Sequence, residues 1–296
     1  MRYKDAASFR QALEERLRDR TRSAGGELVR NRKRVAFDRF LARLVVTAPS
    51  HWVLKGQFAL DLRLADRART TRDIDPDWLA AEDELLETLL DTAAADTGDY
   101  FSFQVERSVT PPDRLGGSHR FSVTAVLAGR TFDSFVLDVG LRADPITEPE
   151  SVITTDLLAF AWIEPVTIPV MPLELQVAEK LHAYTRRYQG PRPSTRVKDL
   201  IDLALIAKLF PLDAPKLRKA ISVTFSGRGE HEQPKALPAP PAEWSIAYRE
   251  LATAVGISTD LSNGYATASA LLDPILTAMT TDGSWAPEVG LWQPDD

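Results

Sequence analysis

The sequence predicts an α+β protein, with a strand-rich middle enclosed between two helical segments. Three observations support this. Before position 50, apolar residues recur at helical spacing, broken only at Ala24-Gly25-Gly26. The middle of the chain holds runs of strand length that alternate apolar and polar residues, two of them joined by a tight turn. From Leu173 onward helical spacing returns. We therefore expect N-terminal helices over 1–50, a core over 51–172 and a mostly helical C-terminal domain over 173–296.

Composition narrows the class. With 44% hydrophobic and 26% charged residues, the chain matches an ordinary globular protein and is not globally disordered. No run of eighteen apolar residues offers a membrane span, and Met1-Arg2-Tyr3-Lys4-Asp5 leads into a polar helix that does not look like a secretory signal. A cytoplasmic protein is expected. With no cysteine, disulfides, thiolate nucleophiles and cysteine zinc sites are excluded. The four histidines (His51, His119, His182, His231) show no ligand spacing. A net charge of −6 argues against a wholly basic nucleic-acid binder, but the charge is unevenly spread. Residues 16–43 carry ten Arg/Lys against three acids, and residues 186–198 carry five basic residues and no acid. Such segments are either solvated helix faces or a local surface for a polyanion.

In chain order, Ser8-Phe9-Arg10-Gln11 has the form of a capping box, and Phe9, Leu13 and Leu17 mark the buried stripe of a helix running to about Arg22. A second helix covers Glu27 to Val46, with Val29, Ala36, Phe40 and Leu44 among its buried positions. Trp52 to Leu54 reads as a short strand, Gln57 to Leu64 as a helix and Arg72 to Asp75 as a strand interrupted by Pro76-Asp77. Glu82 to Ala95 is a helix with an acidic outer face. Tyr100 to Arg107 alternates as a strand, and Arg120 to Leu127 and Thr131 to Val139 form a hairpin across Ala128-Gly129-Arg130. Val166 to Val170 is a further strand. Helices follow over Leu173–Tyr188 and Arg196–Phe210, the second capped by Ser194 or Thr195. Ser226 to Glu243 reads as an exposed Pro/Gly loop, with helices near Ala242–Val255 and Ser262–Met279 and then a Pro- and acid-containing tail.

The chemistry concentrates between Lys55 and Asp75. If Arg72–Asp75 is a strand, Asp73 and Asp75 share a face about 7 Å apart along the chain. Like charges that close call for a cation or a proton. Mg²⁺, held by one or two carboxylates plus substrate phosphates, is the natural partner. Upstream, Gly56 would let backbone amides approach a phosphate. Thr71, two residues before Asp73, would share its face, where an added phosphate would repel a triphosphate. Asp138 lies in the apolar run Phe135-Val136-Leu137-Asp138-Val139, where a carboxylate is costly to bury unless paired or metal-bound. Asp199 and Asp202, at i and i+3, share a helix face. Each residue also has a plainer reading. Asp-x-Asp is often a solvated turn, Asp138 could meet solvent near Gly140, Lys180 could be an exposed helix lysine, and Asp199 could merely complement a helix dipole.

Four blocks in order make the chain resemble the AbiEii-type nucleotidyltransferase toxins of abortive-infection toxin–antitoxin systems, which are similar to the mycobacterial toxins that add nucleotides to tRNA. They are Leu54-Lys55-Gly56-Gln57-Phe58-Ala59-Leu60 with Arg63 and Arg69-Thr70-Thr71-Arg72-Asp73-Ile74-Asp75; Asp138 in its strand; Leu175 to Ala183 around Lys180; and Arg196-Val197-Lys198-Asp199-Leu200-Ile201-Asp202-Leu203. The resemblance spans roughly Trp52 to Ala207. It implies a polymerase-β-like nucleotidyltransferase core, a mixed sheet with helices on one side, followed by a helical domain that completes the active site.

By position, the resemblance makes Asp73, Asp75 and Asp138 the Mg²⁺ ligands. Lys180 becomes the group holding the triphosphate. Asp202, with Asp199, completes the nucleotide pocket beside Gly56, Gln57 and Thr71. Gln57 departs from the Gly-Gly or Gly-Ser usual in the family. The implied reaction is Mg²⁺-dependent transfer of NMP from an NTP to RNA, at the tRNA acceptor end, blocking aminoacylation and translation, with an antitoxin protein as partner. Two alternatives stand beside it: a nucleotidyltransferase acting on a protein or small molecule, and a catalytically degenerate binding module.

Overall fold

A computed structural model describes residues 1–24, 28–64, 71–109, 118–141, 148–186 and 196–294 of the protein. The described chain divides into two compact units, Met1–Met171 and Pro172–Asp296.

In the first unit, helices α1 (Ala6–Ala24) and α2 (Leu28–Thr47) precede a seven-stranded sheet. Its strands are β1 (Trp52–Lys55), β2 (Asp73–Trp78), β3 (Phe101–Arg107), β4 (Ser118–Leu127), β5 (Arg130–Leu141), β6 (Glu150–Ile153) and β7 (Thr167–Val170), in the order β3-β4-β5-β2-β1-β7-β6. Helices α3 (Gly56–Leu64) and α4 (Leu85–Ala94) complete the unit. β2 runs parallel to β5 and β1 parallel to β7, while the other pairs are antiparallel, so the sheet is mixed.

Alternation along the central strands separates core from chemistry. Ile74 and Trp78 of β2 and Phe135, Leu137 and Val139 of β5 join the hydrophobic core with Phe37 and Phe40 of α2. Phe37 packs edge-on to Phe58 and Phe135, with ring centroids 4.7 and 5.0 Å away. The other face of β2 carries Asp73, Asp75 and Asp77.

Several sequence expectations are corrected here. The cap of α1 is Asp5, whose Oδ1 accepts from the Ser8 amide at 2.8 Å, so the helix begins earlier than a Ser8 cap allows. Val29 is 61% exposed, while Ala36, Phe40 and Leu44 are buried as expected. Pro76 does not interrupt β2. The strand runs through it to Trp78, paired with Leu54 of β1, and the ladder to β5 lapses at Asp75 and Pro76. A residue without an N–H is tolerated where no ladder bond is made. β6 has no counterpart among the expected strands, because four residues at the sheet edge present too short a pattern to read.

The second unit contains α5 (Leu173–Thr185), α6 (Val197–Leu209), α7 (Ala214–Arg228), α8 (Ser245–Val255) and α9 (Leu261–Leu276). It ends in a small hairpin, β8 (Ser284–Ala286) and β9 (Leu291–Gln293). α5 stops at Thr185 rather than Tyr188, because Arg186 is extended. The expected Ser194 or Thr195 cap and the Gln189–Pro193 loop lie outside the described residues. Ser226 to Arg228 belong to α7, and the segment after it is tied down rather than loose. Leu237 is buried and its amide donates to Asp273 at 2.7 Å, while the Tyr184 hydroxyl donates to the Pro238 carbonyl at 2.7 Å. The tail is also structured: the buried Trp285 donates its indole N–H to the Ala207 carbonyl at 2.7 Å.

Candidate active site

In the first unit the sheet gathers three carboxylates. On β2, Asp73 and Asp75 share a face. Because Asp73 pairs with Val136 and Asp77 with Gly140, position 75 stands level with Asp138 of the parallel neighbour β5. Each of Asp73, Asp75 and Asp138 offers a carboxylate oxygen, and these oxygens lie within 4.8 Å of one another. Asp75 and Asp138 are each only 4% exposed. An all-oxygen group of this kind suits a hard divalent cation.

The neighbours of the trio hold it in shape. Arg120 on β4 donates to both oxygens of Asp138, at 2.7 and 2.8 Å, a two-pronged bond that fixes the carboxylate's rotamer and offsets one of three negative charges. The register that sets Arg120 opposite Asp138 depends on a bulge between Ala125 and Val126. The Thr71 hydroxyl bonds the Asp73 carboxylate. Gly56 sits at φ +72° at the start of α3, and a Cβ there would stand 2.9 Å from the Asp75 Cβ and collide with its carboxylate. Only glycine meets both demands. Next along the same face, Asp77 forms an ion pair with Lys55, laid over Gly140.

Gln57 follows Gly56 and is 5% exposed, and neither end of its carboxamide has a hydrogen-bond partner among the described residues. A buried amide left unpaired is costly to the fold. Arg63 of the same helix serves the fold instead. It donates to Glu150 and to the Met171 carbonyl, both at 2.7 Å, tying α3 to β6.

In the second unit, Lys180 of α5 is buried, against the base rate for a helix lysine, and donates to Asp202 of α6 at 2.6 Å. Asp202 is fully buried. Asp199, one turn earlier, bonds Arg196 at 3.3 Å. Burial pushes the Asp199 carboxyl up, against the pull of Lys180 and Arg196. Two blocks distant in sequence thus meet in the buried Lys180–Asp202 pair, with the half-buried Asp199 one turn earlier on α6.

The expected basic face of residues 16–43 is largely absent. Arg30 and Arg34 bond Asp61, Arg32 bonds Glu14, Lys33 bonds Asp133, Arg39 bonds Asp38 and Arg43 bonds Asp99. These acids lie far from their partners in sequence, apart from Asp38, so local charge counting could not find them. Arg16, Arg18, Arg20 and Arg22 remain exposed on α1. Most of the second basic segment, 187–195, lies outside the described residues.

Comparisons with known proteins bear on this site. The family model described as nucleotidyl transferase AbiEii toxin, type IV toxin–antitoxin system, matches residues 39–265. Curated protein sequences give no match. Among solved structures, the chain is similar to MenT4, a nucleotidyltransferase toxin from Mycobacterium tuberculosis H37Rv, with 20% identity, a TM-score of 0.56 and coverage of 87% of this chain and 88% of that one. A likeness at that identity shows a shared fold. JHP933 from Helicobacter pylori also aligns, at 16% identity and a TM-score of 0.45, over 83% of this chain and 92% of that one.

Proposed function

The chain belongs to the AbiEii family of nucleotidyl transferase toxins of toxin–antitoxin systems, and from that premise we propose that it transfers NMP from an NTP to RNA, at the acceptor end of tRNA. The observation that carries the reading is the carboxylate trio of Asp73, Asp75 and Asp138, with oxygens within 4.8 Å. Mg²⁺, when bound there, would stabilise charge on the attacking and leaving oxygens of an in-line displacement at the α-phosphate.

The chain's own residues do the positioning. Asp73 and Asp75 would hold the metal and orient the attacking hydroxyl, with Thr71 keeping the Asp73 carboxylate in place. Arg120 holds Asp138 as third ligand. Gly56 leaves the start of α3 open to phosphate oxygens, and the Gln57 amide, without a partner among the described residues, donates to the nucleotide. In the second unit, the resemblance gives Lys180, bonded to Asp202, the role of neutralising triphosphate charge, and gives Asp199 a role in nucleotide binding. Blocking the acceptor end would stop aminoacylation and translation in the cytoplasm, under the control of an antitoxin partner. The arginines of α1 are the exposed part of the basic segment and the surface we propose for RNA phosphates.

Incubation of the protein with total tRNA, Mg²⁺ and each α-labelled NTP tests this. Label on tRNA, absent with Asp73→Ala, is expected. Label on protein or on a small acceptor instead would replace RNA as the substrate, and no label from folded protein would point to a binding module.

A further inference from the structure

His182 and His231 lie 49 positions apart, yet their rings come together in the second unit, with centroids 4.4 Å apart. His182 is on the last turns of α5. His231 follows Gly229, the left-handed residue that ends α7, with Glu230 beside it. His182, His231 and Glu230 each offer a ligand atom, all within 4.8 Å of one another. Sequence spacing gives no sign of this group.

The hydrogen-bonding pattern fits a metal site. His182 is 1% exposed, and neither ring nitrogen has a hydrogen-bond partner among the described residues. The Thr185 hydroxyl lies 2.9 Å from the Leu181 carbonyl and hydrogen-bonds His231 Nε2 at 2.8 Å. The other ring nitrogen, His231 Nδ1, is buried and has no partner among the described residues. A ring with one nitrogen anchored by a hydrogen bond and the other open is the arrangement of a metal-ligating histidine.

We propose that His182, His231 and Glu230 form a site for a first-row transition dication of the Zn²⁺ class, separate from the carboxylate trio. Two imidazoles and one carboxylate suit Zn²⁺, with water in the fourth position. Bonds near 2.0–2.1 Å put ligand atoms about 3.4 Å apart in a tetrahedron, so the group must draw in slightly. Glu230 is exposed, and its inward shift would exchange its bond to Arg186 for the ion. Arg186 bonds Glu230 at 3.0 Å, and Arg228 bonds Glu179 at 3.2 Å. Arg228 keeps the carboxylate of Glu179 when the site is filled, whereas Arg186 gives up Glu230 to the ion. A bound ion would fasten the end of α5 to the segment after α7.

The test is Zn²⁺ binding by the untagged full chain in the Asp73→Ala background, followed by calorimetry and by the visible bands of Co²⁺ as a coordination signature. One equivalent with tetrahedral Co²⁺ bands is expected. His231→Ala should weaken binding at least tenfold, and Thr185→Val, which removes only the anchor of the ring, should weaken it about tenfold. No Zn²⁺ binding in the Asp73→Ala background would overturn the site and leave a water-bridged histidine pair. Unchanged affinity in a folded His231→Ala or Thr185→Val protein would overturn it equally.

Discussion

At the scale of single residues, Gly56 and Gln57 carry the sharpest consequences. Gly56 is held in the left-handed region against the Asp75 carboxylate. Gly56→Ala is expected to destabilise the fold by about 1–3 kcal/mol, from the backbone penalty and the collision together, and to displace Asp75. Thermal unfolding and label transfer should both register it. Gln57 should behave in the opposite way. Its amide is buried without a partner among the described residues, so the similarly shaped Gln57→Met should stabilise by about 1 kcal/mol while raising the KM for NTP. A variant both less stable and unchanged in KM would show that the amide serves the fold and not the nucleotide.

At the scale of elements, the helices are fastened to the sheet by buried ion pairs as well as by the aromatic core. Arg43 of α2 is fully buried and directs its five donors to Asp99 and to the carbonyls of Arg39, Ala95 and Phe101. Burial pushes Asp99 up, but the hydrogen bonds and charge of Arg43 outweigh it and hold the carboxyl below its ordinary value. A depressed carboxylate stabilises fully above its unfolded value of about 3.9, and the contribution is lost as pH falls through the folded value. Asp99→Asn should therefore cost about 3–5 kcal/mol near pH 7, with the gap to the parent narrowing below about pH 3.9. Denaturant unfolding at a series of pH values measures both.

The same scale shows what could be read in advance. The hairpin, the short helix after Gly56 and the shared face of Asp73 and Asp75 follow from local spacing, and all were legible. Arg120 as the clamp on Asp138 was not, because a one-residue bulge resets the hairpin register that its turn implies. Pro76 misled for a similar reason: whether a proline breaks a strand depends on which ladder bonds its neighbours make. The basic run over residues 16–43 misled because its counterions come from α1, α3, β5 and the segment before β3, which only folding brings near. The histidine pair was hidden by the same distance along the chain.

At the scale of the whole molecule, each compact unit holds a buried polar group where an apolar core would be more stable: the carboxylate trio in the first, Lys180 with Asp202 in the second. Charge is buried at such cost where it serves chemistry or specificity. The family match spans both groups, since residues 39–265 include all five. No described helix is long and apolar enough to cross a membrane. The central claim is that the trio is the catalytic centre. The most direct test is the rate of label transfer from α-labelled NTP by Asp75→Asn beside the parent, with folding checked by circular dichroism. A fall of at least about a hundredfold in a folded protein is predicted, since the substitution keeps shape but removes the charge that holds the metal. Transfer at the parent rate would contradict the assignment and move the chemistry away from this face of the sheet.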